Sequence, residues 1–311
     1  MIVLWSVSTD TTTSRVAAAL DKLGADHQRI DIDAKQSGRQ LTWNQDWAGF
    51  ACETKHVPLD AISSIYYRRP HLSEVPQSGR DFSTQETWYF TRCLLLQCVE
   101  CRWMNHPGQV LLAENKLRQL SVARACGLDV PRTIVTMDPQ TAIRFAESCE
   151  RCVCKPGFAG LVDADEPRAV YAWLLPDDLA RADFLRVSNT PTLLQQYVEK
   201  NADIRATVVG DAIHAVRVIS PDGVVDWREL LFSKELRYEV VEPAPGVAAR
   251  ILSVMKQLGL AFGAFDFAER PDGGWSFLEV NPAGQWEWLE EVAPVRIADS
   301  IAQWLAQDGD R

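Results

Sequence analysis

The sequence predicts an α/β protein, and three observations carry that prediction. The first hundred residues alternate strand, helix and strand, the order of a small α/β layer. Two later stretches pair as hairpins, one around Gly210-Asp211 and one around Pro271-Asp272-Gly273-Gly274. Helical stretches end at single glycines, Gly24, Gly127 and Gly259, where a left-handed residue can close the last turn.

In chain order, Ile2 to Val7 is an apolar strand, Arg15 to Leu23 a helix, Gln28 to Ile32 a second strand and Ser64 to Tyr67 a later one. Thr84 to Met104 predicts one long, partly apolar helix, and the turn cluster Asn105-His106-Pro107-Gly108 marks the first boundary. A helix from about Ala113 to Ala125 follows, then an extended stretch through Thr133 to Thr136. Asp138 and Pro139 have the chemistry of an N-cap and first residue for a helix through Ala146. The strand Val153-Cys154-Lys155 leads into a glycine-bearing loop, Pro156 to Gly160. Thr192 to Val198 is a strand giving way to the polar link Glu199 to Ala202, and Asp203 to Val209 pairs with Ala212 to Ile219. Val247, Ile251, Val254 and Leu258 mark an amphipathic helix, and a last helix spans about Val295 to Ala306.

The bulk numbers exclude several classes. At 311 residues, 47% hydrophobic and 24% charged, the chain has an ordinary globular composition, and a net charge of −10 without a basic cluster argues against a nucleic-acid binder. Met1 to Val7 lacks the basic lead and cleavage site of a signal peptide, and no segment reaches membrane-spanning length, so a cytoplasmic protein is expected. Among eight cysteines, Cys98-x-x-Cys101 and Cys149-x-x-Cys152 are too far apart for a compact zinc ribbon. Cys93, Cys98 and Cys101 are expected in the apolar helical run, and reduced, buried thiols are expected overall.

The C-terminal hairpin carries the chemistry. With the turn at residues 271–274, Arg270 pairs with Trp275 and Asp266 stands opposite Glu279, with Asn281 next on the same face. Two facing carboxylates repel unless they protonate, gain basic partners or hold a cation, and hard oxygen donors suit Mg²⁺. Phe265, Phe267, Leu278 and Val280 would anchor the opposite face, while Ala268 and Phe277 share the carboxylate face. Upstream, Lys116 and Lys155 supply point charges suited to phosphates, and Asp203 and Arg205 add an acceptor and a planar cation on one strand face. Singly, each has a plainer reading: a solvated strand end for Lys155, a cross-strand ion pair for Arg205, a loop anchor for Asp226-Trp227-Arg228, core packing for Trp286 and Trp288.

In this order and spacing the residues from Asn105 to Glu290 resemble the ATP-grasp superfamily. Tyr67-Arg68-Arg69-Pro70, Asn105-His106-Pro107, Lys116 with Gln119-Leu120, Asp226-Trp227-Arg228 and Asn281 to Trp286 with Trp288-Leu289-Glu290 are similar to its maturases of ribosomal peptides, the graspetide or microviridin-type ligases. The resemblance implies an ATP-grasp fold in three parts: an N-terminal α/β domain (1–107), a central lid (108–198) and a C-terminal domain with the metal site (199–311). It implies ATP and Mg²⁺ as cofactors, Lys116 and Lys155 on the phosphates, Gln195, Gln196, Tyr197 and Val198 at the adenine edge, and Asp203 at the ribose. Arg205 would meet the transferring phosphoryl, Arg228 the substrate, and Asp266, Glu279 and Asn281 the magnesium ions, with Arg68 and Arg69 at the site's edge. The implied partner is a precursor peptide with a leader and a core of Asp/Glu plus Thr/Ser/Lys, joined side chain to side chain as ω-esters or ω-amides. Arg217 stands where the microviridin branch often carries an acidic residue, and the loop after Lys155 is short. Ester versus amide and the oligomeric state, a homodimer included, stay open. The alternatives are a ligase adding free amino acids to a peptide or protein, and an ATP-binding regulatory protein without catalysis.

Overall fold

The computed structural model describes residues 1–33, 39–44, 48–52, 55–68, 81–157, 161–162, 168–176, 183–231 and 233–307. Arg69, Pro70 and loop residues 158–160, named above, lie outside them.

The chain opens with β1 (Ile2–Ser6), α1 (Thr11–Leu23) and β2 (His27–Asp31), then the ribbon β3 (Arg39–Trp43), β4 (Ala48–Cys52) and β5 (Lys55–Pro58), then β6 (Ser64–Tyr67), α2 (Phe82–Leu95) and β7 (Arg102–Met104). Asp10 caps α1 by accepting from the Thr13 amide at 2.7 Å, and Gly24 closes it at φ 67°. The parallel sheet runs β2-β1-β6-β7. The expected helix 84–104 therefore stops at Leu95. Arg102, Trp103 and Met104 instead pair with Ser64, Ile65 and Tyr66, since an extended segment at the sheet edge satisfies its backbone and buries Met104. Cys98 and Cys101 consequently sit in the connecting turn, where the Cys98 carbonyl accepts from the Cys101 thiol at 3.0 Å and the Trp103 indole at 3.2 Å.

The middle comprises α3 (Pro107–Ala113), α4 (Lys116–Ala125), β8 (Thr133–Thr136), α5 (Pro139–Glu147), β9 (Cys152–Lys155), the short pair β10 (Leu161–Val162) and β11 (Arg168–Ala169), β12 (Trp173–Leu174) and β13 (Thr192–Gln196). The helix expected over about 113–125 is present as α4 and starts at Lys116, where Asn115 caps it by accepting from the Arg118 amide at 3.0 Å; a separate short helix, α3, precedes it out of the His106-Pro107 turn. Asp138 caps α5 as its sequence indicates, and the sheet order is β12-β9-β13-β8.

The last part holds β14 (Ala202–Val209), β15 (Ala212–Ile219), β16 (Arg237–Val241), α6 (Pro245–Leu258), β17 (Phe262–Glu269), β18 (Trp275–Asn281), α7 (Glu287–Val292) and α8 (Ile297–Ala306). Its antiparallel sheet runs β16-β15-β14-β17-β18. One face packs on α4 and α6 through Ile204, Ala206, Val208, Phe265, Phe267 and Phe277. At the other, Val209, Val216 and Trp286 share a core with Ile2, Leu4 and Leu20 of the first part and Ile301 and Leu305 of α8. Asn105 ties the same halves together: its oxygen accepts from the Ala261 and Phe262 amides and its nitrogen donates to the Phe262 and Pro282 carbonyls, all within 3.0 Å. A buried carboxamide with all these bonds made is a rigid joint.

Candidate active site

The site lies between the middle sheet and the C-terminal sheet. Asp266 and Glu279 are register partners on β17 and β18, as the hairpin pattern predicts, yet the turn-proximal register differs: Glu269, not Arg270, pairs with Trp275. A bulge between Asp266 and Phe267 absorbs the offset, two residues of β18 facing one of β17. The extra residue exchanges two side chains. Phe277 turns into the core, where it is fully buried, and Leu278 joins Glu279 on the cleft wall, the reverse of the strict alternation expected for both.

Ion pairs hold the acidic pair. Arg205 on β14, opposite Asp266, places Nη1 2.8 Å from both of its oxygens. Lys116 Nζ lies 2.7 Å from Glu279, and Arg228 approaches the same carboxylate at 3.7 Å. Burial drives the Asp266 carboxyl upward, Arg205 opposes this and Glu279 adds to it, so its pKa lies above the ordinary value. For Glu279 burial acts the same way but Lys116, Arg228 and Lys155 outweigh it, and its pKa is lowered. Lys155 is lowered to about 8, first by burial, with Glu279 resisting and Lys116 adding to the fall.

The positions are set by two further side chains, Gln119 and Asp226. Gln119 on α4 donates to the Ala113 and Val280 carbonyls at 2.6 and 2.8 Å and accepts from the Val280 amide at 3.1 Å. It thereby fills hydrogen-bonding groups on the edge strand β18 and fixes the start of α4, hence Lys116, over Glu279. Arg228 is bound through Nε and Nη2 to Asp226 at 2.8 and 2.6 Å, and Asp226 also accepts from the Ala172 amide at 3.4 Å.

A cleft of about 900 Å³ is lined by Lys116, Lys155, Gln195, Gln196, Tyr197 and Val198, and by Asp203, Arg228, Asp266, Glu279 and Asn281. Arg205 reaches its floor through Asp266. All twelve sequence-predicted residues thus converge, although the Gln195 side chain donates to Thr133 at 2.9 Å and leaves its backbone nearest the cleft. Other expectations land elsewhere. Arg68 is buried and donates to the Ala283 carbonyl at 2.6 Å and Gln285 at 2.6 Å, bracing the loop after β18 from behind. Arg217 pairs with Glu239 and Glu269 on the sheet face away from the carboxylates, because its register partner is Ile204. Trp286 is core, while Trp288 packs on Trp227 at 5.1 Å. The contacts of Gln119 beneath β18 and of Lys200 beside Asp203 are ones that strand and helix periodicity alone does not single out.

Whether the acidic face suits Mg²⁺ can be judged from its donors. Among the described residues no three His, Cys, Asp or Glu side chains gather as a metal cluster. The set is two half-buried carboxylates that repel one another plus the Asn281 carboxamide, whose oxygen accepts from the Ala283 amide at 2.9 Å. Hard oxygens with surplus mutual repulsion fit a small divalent cation that keeps water and phosphate ligands of its own.

No family model matches the chain. Among solved structures, the Chryseobacterium gregarium RiPP-associated ATP-grasp ligase, in complex with ADP and a leader and core peptide, superposes with a TM-score of 0.84 at 23% identity, covering 100% of this chain and 97% of that one. The macrocyclase MdnB from Microcystis aeruginosa is 27% identical with a TM-score of 0.71 over 98% of each chain. In sequence, a probable α-L-glutamate ligase of an Enterobacter species is 26% identical over 257 residues, 79% of this chain and 81% of the relative. The fold is that of the ATP-grasp ligases.

Proposed function

We propose that the protein is an ATP-dependent ligase that closes rings in a ribosomally made precursor peptide, joining Asp or Glu side chains to Thr, Ser or Lys side chains. The observation that carries this reading is the convergence of the paired carboxylates with Lys116, Lys155, Arg205 and Arg228 at one cleft, on a chain that superposes end to end on peptide-maturing ATP-grasp ligases. Lys116 and Lys155 would hold the phosphates of ATP, the segment Gln195 to Val198 the adenine edge, and Asp203 the ribose. Asp266, Glu279 and Asn281 would hold Mg²⁺, which would supply positive charge to offset that of the phosphates. In the first step a peptide carboxylate oxygen attacks the γ-phosphorus, the bond to the bridging oxygen breaks, and ADP leaves from an acyl-phosphate. Arg205 is placed to stabilise the transferring group, and Arg228, aimed by Asp226, to receive the peptide carboxylate. A hydroxyl or amine then attacks the acyl carbon, its proton passes to solvent, and phosphate leaves. The enzyme supplies position and charge rather than a covalent nucleophile. The division into domains at about 107 and 198 accompanies this reading, with ATP between the last two.

Relatives named as glutamate ligases favour a second reading, addition of free glutamate. Mass spectrometry separates them. Incubated with ATP, Mg²⁺, free glutamate and a candidate precursor peptide, the enzyme should remove about 18 Da, one water, per ring. A gain matching an added glutamate residue selects the second reading, and an unchanged peptide with no ADP release rejects both.

A further inference from the structure

The link between β13 and β14 carries a lysine that the proposed reaction leaves unassigned. Lys200 Nζ donates to both Asp203 oxygens at 2.9 and 2.7 Å and to the Val225 carbonyl at 2.8 Å. An ammonium has three N–H bonds, so all three are used, although Lys200 lines the cleft. It therefore has no donor left for a ligand. Asp203 is differently placed: each oxygen accepts one bond from Lys200 and keeps a lone pair, and the carboxylate lies on the cleft wall with its side chain 7% exposed. The third bond fastens the residue immediately before Asp226, the carboxylate that aims Arg228.

We propose that Lys200 is a positioning residue which fixes the Asp203 carboxylate for the ribose hydroxyls of the nucleotide and locks the Asp226–Arg228 segment to the same point. The proposal rests on the nucleotide role given above to Asp203. Without Lys200 the carboxylate would face Asp226 and Asp266, both of which disfavour its charge, with Tyr197 as a further neighbour. Burial already raises Asp203 to about 6 with Lys200 in place, so removing the ammonium carries its titration further toward neutrality. A carboxyl that is neutral or rotated discriminates a ribose from its deoxy analogue more weakly.

The test is binding of Mg²⁺ with AMPPNP, and with its 2′-deoxy and 3′-deoxy analogues, to the full chain and to the variants Lys200→Met and Lys200→Arg, at pH 6.0, 7.0 and 8.0. For the wild type, preference for the ribonucleotide over at least one analogue should be about tenfold, the scale of one hydrogen bond to a charged group. Lys200→Met should reduce that preference to about twofold and weaken ribonucleotide binding more at pH 6.0 than at 8.0, while Lys200→Arg restores part of it. Circular dichroism and melting confirm that each variant is folded; the Arg variant covers the case in which Met prevents folding. If Lys200→Met retains the full ribose preference, or loses affinity for all three nucleotides by one factor at every pH, the positioning role is wrong. Failure of the wild type to bind the nucleotide at all removes the function proposed for the cleft rather than this assignment alone.

Discussion

Lys155 gives the cleft a measurable pH signature. Its ammonium is lowered from 10.5 to about 8, first by burial and then by Lys116, with Glu279 and Asp226 holding it up. Phosphates bound beside it favour the charged form, so its pKa in the complex should return to the ordinary range. Linkage then sets the size of the effect: with titration near 8 in the free chain and near 10.5 in the complex, affinity for Mg²⁺ with AMPPNP is nearly constant below pH 7. It falls about tenfold between pH 7 and pH 9, or ~1.4 kcal/mol. The contribution to folding has the opposite sign. Because the folded pKa is depressed, the unfolded chain binds more protons between 8 and 10.5, and this contribution to stability rises with pH through that window. Isothermal titration at pH 7.0 and 9.0 measures the first quantity, and Lys155→Met is the control, since every other titrating group is shared. An equal fall in wild type and Lys155→Met, or none in the wild type, refutes the placement of a buried ammonium against the phosphates.

Two further outcomes follow from the same geometry. Gln119→Met conserves volume but deletes three hydrogen bonds and strands the Val280 amide and carbonyl, a loss on the order of 3 kcal/mol that should lower the melting temperature by ~5 °C or more; it should also raise KM for ATP, and a shift under 1 °C would discard Gln119 as the clamp of α4. Asp266→Asn and Glu279→Gln should stay folded and lose turnover, and Arg205→Met should cost roughly 10²- to 10³-fold in kcat; folded variants with near-normal rates of ADP formation would remove the metal assignment.

The sequence made the site more legible than the scaffold around it. Asp266, Glu279 and Asn281 are readable because a turn and an alternating strand place them by local rules, and the capped α5 and the Gly210-Asp211 hairpin follow from similarly local chemistry. The bulge before Phe267 is not readable that way. It depends on how Phe277 packs against Phe265 and Phe267, at ring separations of 6.0 and 5.8 Å, which is a tertiary preference acting against strict alternation. The loss of the helix over 96–104 has the same origin, since pairing with β6 outweighs a helical run of only moderate apolar character. Asn115 could have been read as a cap from its residue type, and the start of α4 at Lys116 with it. Lys200 carried no signal at all: its meaning lies in the approach of Val225, 25 positions along the chain.

The ion pairs of the free chain also explain how such a cleft tolerates its own charges. Asp266 and Glu279 repel one another, and the fold answers with Arg205 and Lys116 rather than with protons alone. On the proposed roles these are the cations that phosphates need and the carboxylates that Mg²⁺ needs. Each pair is thus an occupant standing in for what the complex would supply to both members. Nucleotide arriving alone would draw Lys116 from Glu279 and leave that half-buried carboxylate with the more distant Arg228 as its partner, while metal arriving alone would release Lys116 and Arg205 with nothing to bind. Only the two together exchange every partner for another of the same sign. Cooperative entry of metal and nucleotide therefore follows from the placement of four side chains, Lys116, Arg205, Asp266 and Glu279, and requires no movement of the sheets that carry them.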